Sequence, residues 1–332
     1  MAERILPLDA ATALVVETLV RCRTSPDNAR AVARALVAAE AAGLKGHGMS
    51  RLPSYAAQAQ VGKIGGHALP TAEHTKPGIL KVDAAYGFAY PAIELAESLL
   101  PDIAHNQGVA LAAIRRSHHC GAAGLPVERL AEKGLVALLF TNSPSAIAPW
   151  GARKAIFGTN PIAFACPIEN GPPLVIDLSL SQGTRGEIFA ARQRGDTIPD
   201  NWALDENGQP TSDPEAALKG TMRPVGDAKG TVLALMVELL AAGLTGANYA
   251  TEASPFLNAE GPPPGTGQLI IAIDPGLVGG GNTIRRFAEF AAVVEAEPGA
   301  RLPGSRRRES RMKAATDGVA LDVRLLEDIA AL

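Results

Sequence analysis

The chain has 332 residues, 47% of them apolar and only 4% aromatic, enough for two or three subdomains around a large core. A formal net charge of -3 leaves no basic footprint for nucleic acid or an anionic membrane. Cys22, Cys120 and Cys166 form no CxxC pair, no apolar run reaches membrane-spanning length, and the opening segment lacks a signal-peptide pattern, so a soluble, cytoplasmic protein without disulfides or a zinc knuckle is expected.

Apolar residues at helical spacing predict amphipathic helices over 10–21 and 26–42, the second opened by the cap signal Ser25-Pro26-Asp27. It stops at Gly43 and leads into Leu44-Lys45-Gly46-His47-Gly48-Met49-Ser50-Arg51-Leu52-Pro53-Ser54-Tyr55. Glycines on both sides place His47 on exposed, adaptable backbone. Ser50 is expected to cap a new helix with Pro53 in its first turn. Arg51 and Tyr55, four apart, then share a face. A proton donor, an anion clamp and a phenol would crowd one helix N-terminus, where anions are favoured. The alternative is a polar loop with a surface arginine.

Residues 62–78 read as a connector, 79–83 as a short strand, 90–107 as a helix and 109–114 as a buried strand. One pattern then recurs: an apolar strand delivers a polar, glycine-bearing loop. The strand at 109–114 leads into Arg116-Ser117-His118-His119-Cys120-Gly121-Ala122-Ala123-Gly124, and a helix follows at 127–133. The strand at 135–140 leads into Thr141-Asn142-Ser143, and 174–176 into Asp177-Leu178-Ser179-Leu180-Ser181. Gly158-Thr159-Asn160-Pro161 precedes a strand at 162–165. Polar loops at strand ends are where sheet proteins place ligands.

Farther on, residues 195–220 are polar, with a hairpin-like turn at Asp205-Glu206-Asn207-Gly208. An apolar helix is expected at 231–244, a loop at 251–266, a strand at 268–274 and a flexible turn at 276–281. A helix at 287–297, a basic run at 301–311 and an amphipathic helix near Val319 close the chain.

No GxGxxG follows an early strand, and Gly276-Leu277-Val278-Gly279-Gly280-Gly281 has the wrong spacing for that fingerprint. Gly226-Asp227-Ala228-Lys229-Gly230 at a helix start offers exposed N–H groups and a cation to an anion, or is a plain cap. His118-His119 could bind metal, act on substrate or hydrogen-bond, and metal is the weakest reading because no further ligand stands at suitable spacing. Asp177 either orients a histidine or caps a loop. Arg185 and Glu187 read as a solvated pair, and Arg306 to Arg308 with Arg311 as a phosphate contact or solvated surface.

In their order these blocks resemble the malate/L-lactate dehydrogenase-like family of NAD(P)-dependent oxidoreductases, which is distinct from the Rossmann dehydrogenases. The residues carrying the resemblance are Gly46-His47-Gly48 with Arg51 and Tyr55, His119 to Gly124, Asn142-Ser143, Gly158 to Pro161, Asp177 to Ser181, Arg185-Gly186, Lys229-Gly230, Asp274-Pro275 and Arg301-Leu302-Pro303-Gly304. The resemblance implies an α/β, non-Rossmann NAD(P)-binding fold with a sheet core and a terminal helical subdomain, assembled as a homodimer. Its domains would be a helical substrate side at 1–57 plus 311–332, a central part at 58–116 plus 276–310, and a cofactor domain at 117–275.

By the same resemblance His47 is the proton donor, assisted by Asp177. Arg51 clamps the carboxylate of a small substrate, with Tyr55, His119 and Thr159 close by. The cofactor, NADPH or NADH, would face His119, Cys120, Gly121, Ala122, Ser143, Asp177, Leu178, Ser179, Lys229, Arg307 and Arg308. Gly46 departs from the serine that many members carry before the histidine. Arg185-Gly186-Glu187-Ile188, the stretch 204–211 and Met236-Val237-Glu238-Leu239-Leu240 bring the chain nearest the Δ1-pyrroline-2-carboxylate and Δ1-piperideine-2-carboxylate reductases. A 2-hydroxyacid dehydrogenase acting on malate, lactate, sulfolactate or ureidoglycolate is the alternative.

Overall fold

The computed structural model describes residues 2–332. Its first half runs β1 (Glu3–Leu6), α1 (Leu8–Arg21), α2 (Pro26–Ala41), α3 (Leu52–Gln60), β2 (Thr71–Lys76), β3 (Ile79–Asp83), α4 (Ala89–Gln107), β4 (Val109–Ser117), α5 (Gly124–Glu132) and β5 (Val136–Thr141). Next come β6 (Ile162–Ile168), β7 (Gly171–Leu178) and α6 (Arg185–Arg194). Two-residue strands β8 (Ala203–Leu204), β9 (Pro210–Thr211) and β10 (Thr221–Met222) form a small sheet, with α7 (Pro214–Lys219) between the last two. The chain continues through α8 (Ala228–Glu238), β11 (Thr266–Ile273), α9 (Pro275–Gly279) and α10 (Thr283–Ala296). It closes with α11 (Ser305–Asp317), β12 (Val319–Asp322) and α12 (Val323–Ala330).

Seven strands form the main sheet in the order β2-β3-β4-β11-β5-β6-β7. Only β3 and β4 pair in parallel; every other neighbour is antiparallel. Alternating directions explain why the polar loops converge. The C-terminal ends of β3, β4, β5 and β7 and the N-terminal ends of β6 and β11 all lie along one edge. That edge therefore carries His118 and His119, Asn142 and Ser143, Thr159 and Asn160, and Asp177 to Ser179.

The near-continuous apolar runs of β4, β5 and β11 are those of strands covered on both faces. One face packs on α4 and α5 through Leu80, Ile93, Leu100, Ile114, Leu130 and Leu139. The other packs on α8 through Phe140, Ile147, Met222, Val237 and Leu269. A separate core joins the two ends of the chain, with Val15, Leu36, Leu52, Tyr55 and Tyr90 meeting Ala314, Leu321 and Ile329.

Several expectations need correction. The connector at 62–78 contains β2, an edge strand whose mostly exposed residues give no alternating pattern. The ends of the chain also pair as strands, β1 against β12, each only four residues long. The turn at 276–281 begins as α9, because Asp274 accepts hydrogen bonds from the N–H groups of Gly276 and Leu277. Arg185 and Glu187 are not partners: Arg185 donates to the Leu218 carbonyl at 2.9 Å, while Glu187 closes a capping box with Thr184. No helix among the described residues is long and apolar enough to cross a membrane.

Candidate active site

The segment after α2 folds as two 3-10 turns, Lys45–His47 and Met49–Arg51. Its backbone is tied down rather than loose. Glu40, buried at the end of α2, accepts a hydrogen bond from the Met49 N–H at 2.8 Å. A Cβ on Gly48 would overlap that carboxylate, so glycine is required there. Ser50 does not cap α3; its hydroxyl donates to the Lys45 carbonyl at 2.6 Å. Arg51 Nε donates to the Gly46 carbonyl at 2.6 Å, and its Nη groups have no protein acceptor among the described residues.

His47 is correspondingly half-buried, not exposed. Its ring stacks on His119 with centroids 5.3 Å apart and planes inclined by 24°. Its Nδ1 is buried without a partner. Tyr55, fully buried, hydrogen-bonds His119 Nδ1 at 2.6 Å and the Tyr90 hydroxyl at 3.1 Å. Gly121 makes room for that phenol, since a Cβ there would sit 2.7 Å from the Tyr90 hydroxyl at a φ of +70°.

Behind this pair His118 Nε2 meets Gln58 Oε1 at 3.0 Å, and Gln58 Nε2 donates to the Phe256 carbonyl at 2.8 Å. The Phe256 ring lies 5.0 Å from His118 and 5.3 Å from His119. Lys63 holds the loop that carries it, donating to the carbonyls of Pro255, Asn258 and Glu260 at 2.7, 3.1 and 2.6 Å.

Burial and cations keep these imidazoles neutral. Desolvation, then Arg51 and Arg307, lowers His47 to about 4. Desolvation, then Lys63 and Arg51, takes His118 to about 3. His119 lies well below the ordinary histidine value for the same first reason, followed by Arg51. Tyr55 rises to about 12, so it remains a phenol.

The structure does not join Asp177 to His47. The Asp177 carboxylate accepts from the Gly124 N–H at 3.0 Å, at the start of α5, and from Arg307 Nη1 at 3.4 Å. Ser143 and Thr159 do meet: the Thr159 N–H donates to Ser143 Oγ at 3.0 Å. Ser179 hydrogen-bonds Ser181 at 2.7 Å, and Leu178 is exposed. Cys120 and Ala122 are buried, with the Cys120 thiol pushed up to about 12 by burial, so these two offer a ligand little but backbone. Lys229 is exposed at the start of α8 and hydrogen-bonds none of the others.

A cavity of about 390 Å³ runs beside the start of α5, lined by Gly124, Leu174, Gly304, Arg307, Arg308 and Arg311. Arg307 pairs with Asp177 and Arg311 with Glu128, while Arg308 pairs with no carboxylate among the described residues. A helix N-terminus and one uncompensated guanidinium in this cleft therefore fit an anionic dinucleotide. Among the described residues no group of three His, Cys, Asp or Glu side chains is arranged to hold a metal ion.

Residues 6–330 match the model of the malate/L-lactate dehydrogenase family. The chain belongs to that family. Its fold is shared with the Δ1-piperideine-2-carboxylate reductase from Pseudomonas syringae pathovar tomato, at a TM-score of 0.93, 38% identity and 99% coverage of both chains. The chain is 48% identical, over 93% of its length and 92% of the relative's, to a protein of Chromohalobacter salexigens named (2R)-3-sulfolactate dehydrogenase (NADP(+)). It is 41% identical, over 98% of both, to a Pseudomonas aeruginosa protein named Delta(1)-pyrroline-2-carboxylate/Delta(1)-piperideine-2-carboxylate reductase.

Within this candidate site, several residues carry no sequence signal of their own. Gln58, Lys63, Tyr90 and Phe256 are scattered through helices and a Pro/Gly-rich loop, and only packing brings them to the histidines. Glu238 was visible only as part of a family-like stretch. It is buried and accepts from Asn142 Nδ2 at 3.0 Å, Asn160 Nδ2 at 2.7 Å and the Ala250 N–H at 2.6 Å, which ties three loops of the site together.

Proposed function

We propose that this chain is an NAD(P)H-dependent reductase of a cyclic imine carboxylate, Δ1-pyrroline-2-carboxylate or Δ1-piperideine-2-carboxylate, yielding proline or pipecolate. The observation that supports it is the isolation of His47. No carboxylate among the described residues bonds its ring, its Nδ1 is buried and bare, and the imidazole is held neutral. A neutral imidazole without a carboxylate partner is a weak acid catalyst. A carbonyl needs a proton delivered to its developing alkoxide. An imine nitrogen is basic enough to arrive protonated, and then needs only to be held.

In this reading the Nη groups of Arg51 take the substrate carboxylate. His47 sits beside the ring nitrogen and accepts its proton in hydrogen bonding, excluding water with Phe256. Thr159 lines the same space. Arg307, Arg308 and the start of α5 hold the cofactor, which supplies hydride when bound. Residues 117–275 would make up most of that cofactor domain, and the terminal helices the substrate side.

The rival reading, reduction of a sulfonated 2-oxo acid, is favoured by the 48% identity to the sulfolactate dehydrogenase. Steady-state turnover of Δ1-pyrroline-2-carboxylate beside 3-sulfopyruvate, each with NADPH and NADH, tests the choice. Turnover confined to the sulfonate would replace the imine reading.

We also take the active form to be a homodimer. Val232, Leu235 and Met236 of α8, with Leu239 just after it, form an exposed apolar stripe, the kind of face that a second copy covers. A monomeric mass by light scattering at micromolar concentration would refute it. The three buried free cysteines accord with a reducing cytoplasm.

A further inference from the structure

Two histidines stack at the site, and the protein treats them differently. His47 Nδ1 has no partner among the described residues, so none of them fixes which of its nitrogens carries the proton. His119 Nδ1 has one, the Tyr55 hydroxyl at 2.6 Å, and that hydroxyl is 3.1 Å from the Tyr90 hydroxyl.

Tyr55 and Tyr90 are both buried, and each phenol has a single proton to donate. The Tyr90 hydroxyl has one hydrogen-bond partner among the described residues, the Tyr55 oxygen. A buried hydroxyl proton left without an acceptor is costly, so Tyr90 donates to Tyr55. Tyr55 must then direct its own proton to His119 Nδ1, which leaves the imidazole proton on Nε2. The opposite direction would strand the Tyr90 proton beside Gly121, where even a Cβ would sit 2.7 Å from the hydroxyl. His119 is only partly buried, and its Nε2 has no partner among the described residues, so this N–H is free for a ligand.

We propose that Tyr90 and Tyr55 form a one-way hydrogen-bond relay that locks His119 as its Nε2–H tautomer, a fixed donor to an oxygen of the substrate carboxylate alongside Arg51. Tyr90 and Tyr55 are positioning residues, and His119 touches the substrate. The two imidazoles divide the work: His119 is held in one tautomer as a donor to the carboxylate, while His47, with no tautomer fixed, accepts the hydrogen bond of the protonated ring nitrogen. The carboxylate assignment rests on the reductase reading above, whereas the tautomer lock does not.

The test uses the full-length protein labelled with 15N-histidine and long-range 1H–15N correlation spectra without substrate. The His119 signals are assigned by their loss in His119→Asn. Wild type should show an acceptor-type Nδ1 and a protonated Nε2 on His119. In Tyr55→Phe, which removes the hydroxyl with little change in shape, the two shifts should move toward each other as tautomers mix. The KM for the imine should rise roughly tenfold or more, as for a lost hydrogen bond to a charged group, with kcat and cofactor affinity near wild type.

Tyr90→Phe should give a smaller change of the same kind, and it serves if Tyr55→Phe fails to fold. A wild-type spectrum with the proton on Nδ1 would overturn the relay. A Tyr55→Phe variant that weakens cofactor binding but leaves KM unchanged would overturn the carboxylate assignment. Failure to reduce the imine, with the tautomer as expected, would refute the function and leave the lock standing.

Discussion

The Arg307 guanidinium lies 3.4 Å from the Asp177 carboxylate and donates to the carbonyl of the same residue at 3.1 Å. The carboxylate at the end of β7 therefore orients a cation lining the cavity beside α5, rather than a histidine. Asp177→Asn keeps an acceptor for the Gly124 N–H but loses the charge on Arg307. NADPH affinity should fall by about tenfold, with kcat at saturating cofactor close to wild type. Titration calorimetry beside saturating kinetics checks this. A collapse of kcat with unchanged affinity would return Asp177 to the proton transfer.

Gly46 and Gly48 flank the same histidine and should respond in opposite ways. A Cβ on Gly46 meets nothing within 4 Å, whereas one on Gly48 would lie 3.0 Å from Glu40 Cα and overlap its carboxylate. Gly46→Ser should leave stability within about 0.5 kcal/mol of wild type. Gly48→Ala should lower it by about 2 kcal/mol or more, because the Met49 N–H would lose its buried acceptor. Urea unfolding of the two variants side by side decides.

Three neutral, desolvated imidazoles, His118 buried and His47 and His119 partly so, make the fold sensitive to mild acid. His47 at about 4, His118 at about 3 and His119 well below normal all titrate below the unfolded value near 6.5. Between those limits the unfolded chain binds more protons than the folded one. The stability they contribute is complete above about pH 6.5 and is lost as pH falls toward 4, by up to about 1.4 kcal/mol per pH unit for each histidine. Glu40, Glu97, Asp177 and Glu238 are raised by burial and act with the opposite sign. Unfolding midpoints measured from pH 7 to 4.5 should fall steadily; a flat profile would contradict the neutral-histidine site.

Glu238→Ala would leave the Asn142 and Asn160 amides and the Ala250 N–H facing a buried gap. A loss of about 3 kcal/mol is expected, with turnover falling alongside because two of those segments adjoin Ser143 and Thr159. Glu238→Gln should fall between that and wild type. Wild-type stability in the alanine variant would show that the network does not hold the loops.

The sheet was legible because β3, β4, β5, β6, β7 and β11 are apolar runs bounded by polar loops, and burial on both faces demands such runs. The short pair β1 and β12 and the edge strand β2 were not, since four to six partly polar residues carry no periodic signal. Within the site, His47, Arg51, Tyr55 and His119 stood out because the glycine-broken and strand-end contexts marked them. The structure brings all but Arg51 into direct contact and places the Arg51 charge on all three histidines. Asp177 was visible but not its partner, since the meeting with Arg307 spans 130 positions of sequence. Tyr90 and Lys63 read as ordinary helix and loop residues, and only the packed core gives the one a phenol to bond and the other three carbonyls.

The most direct measurement is the ratio of kcat/KM for Δ1-pyrroline-2-carboxylate to that for 3-sulfopyruvate with NADPH, followed by loss of reduced-nicotinamide absorbance. A site whose histidine is neutral and lacks a carboxylate partner should favour the substrate that brings its own proton, so the ratio should exceed one by about a hundredfold or more. A ratio below one would contradict the account and make this chain a sulfonated-hydroxyacid dehydrogenase.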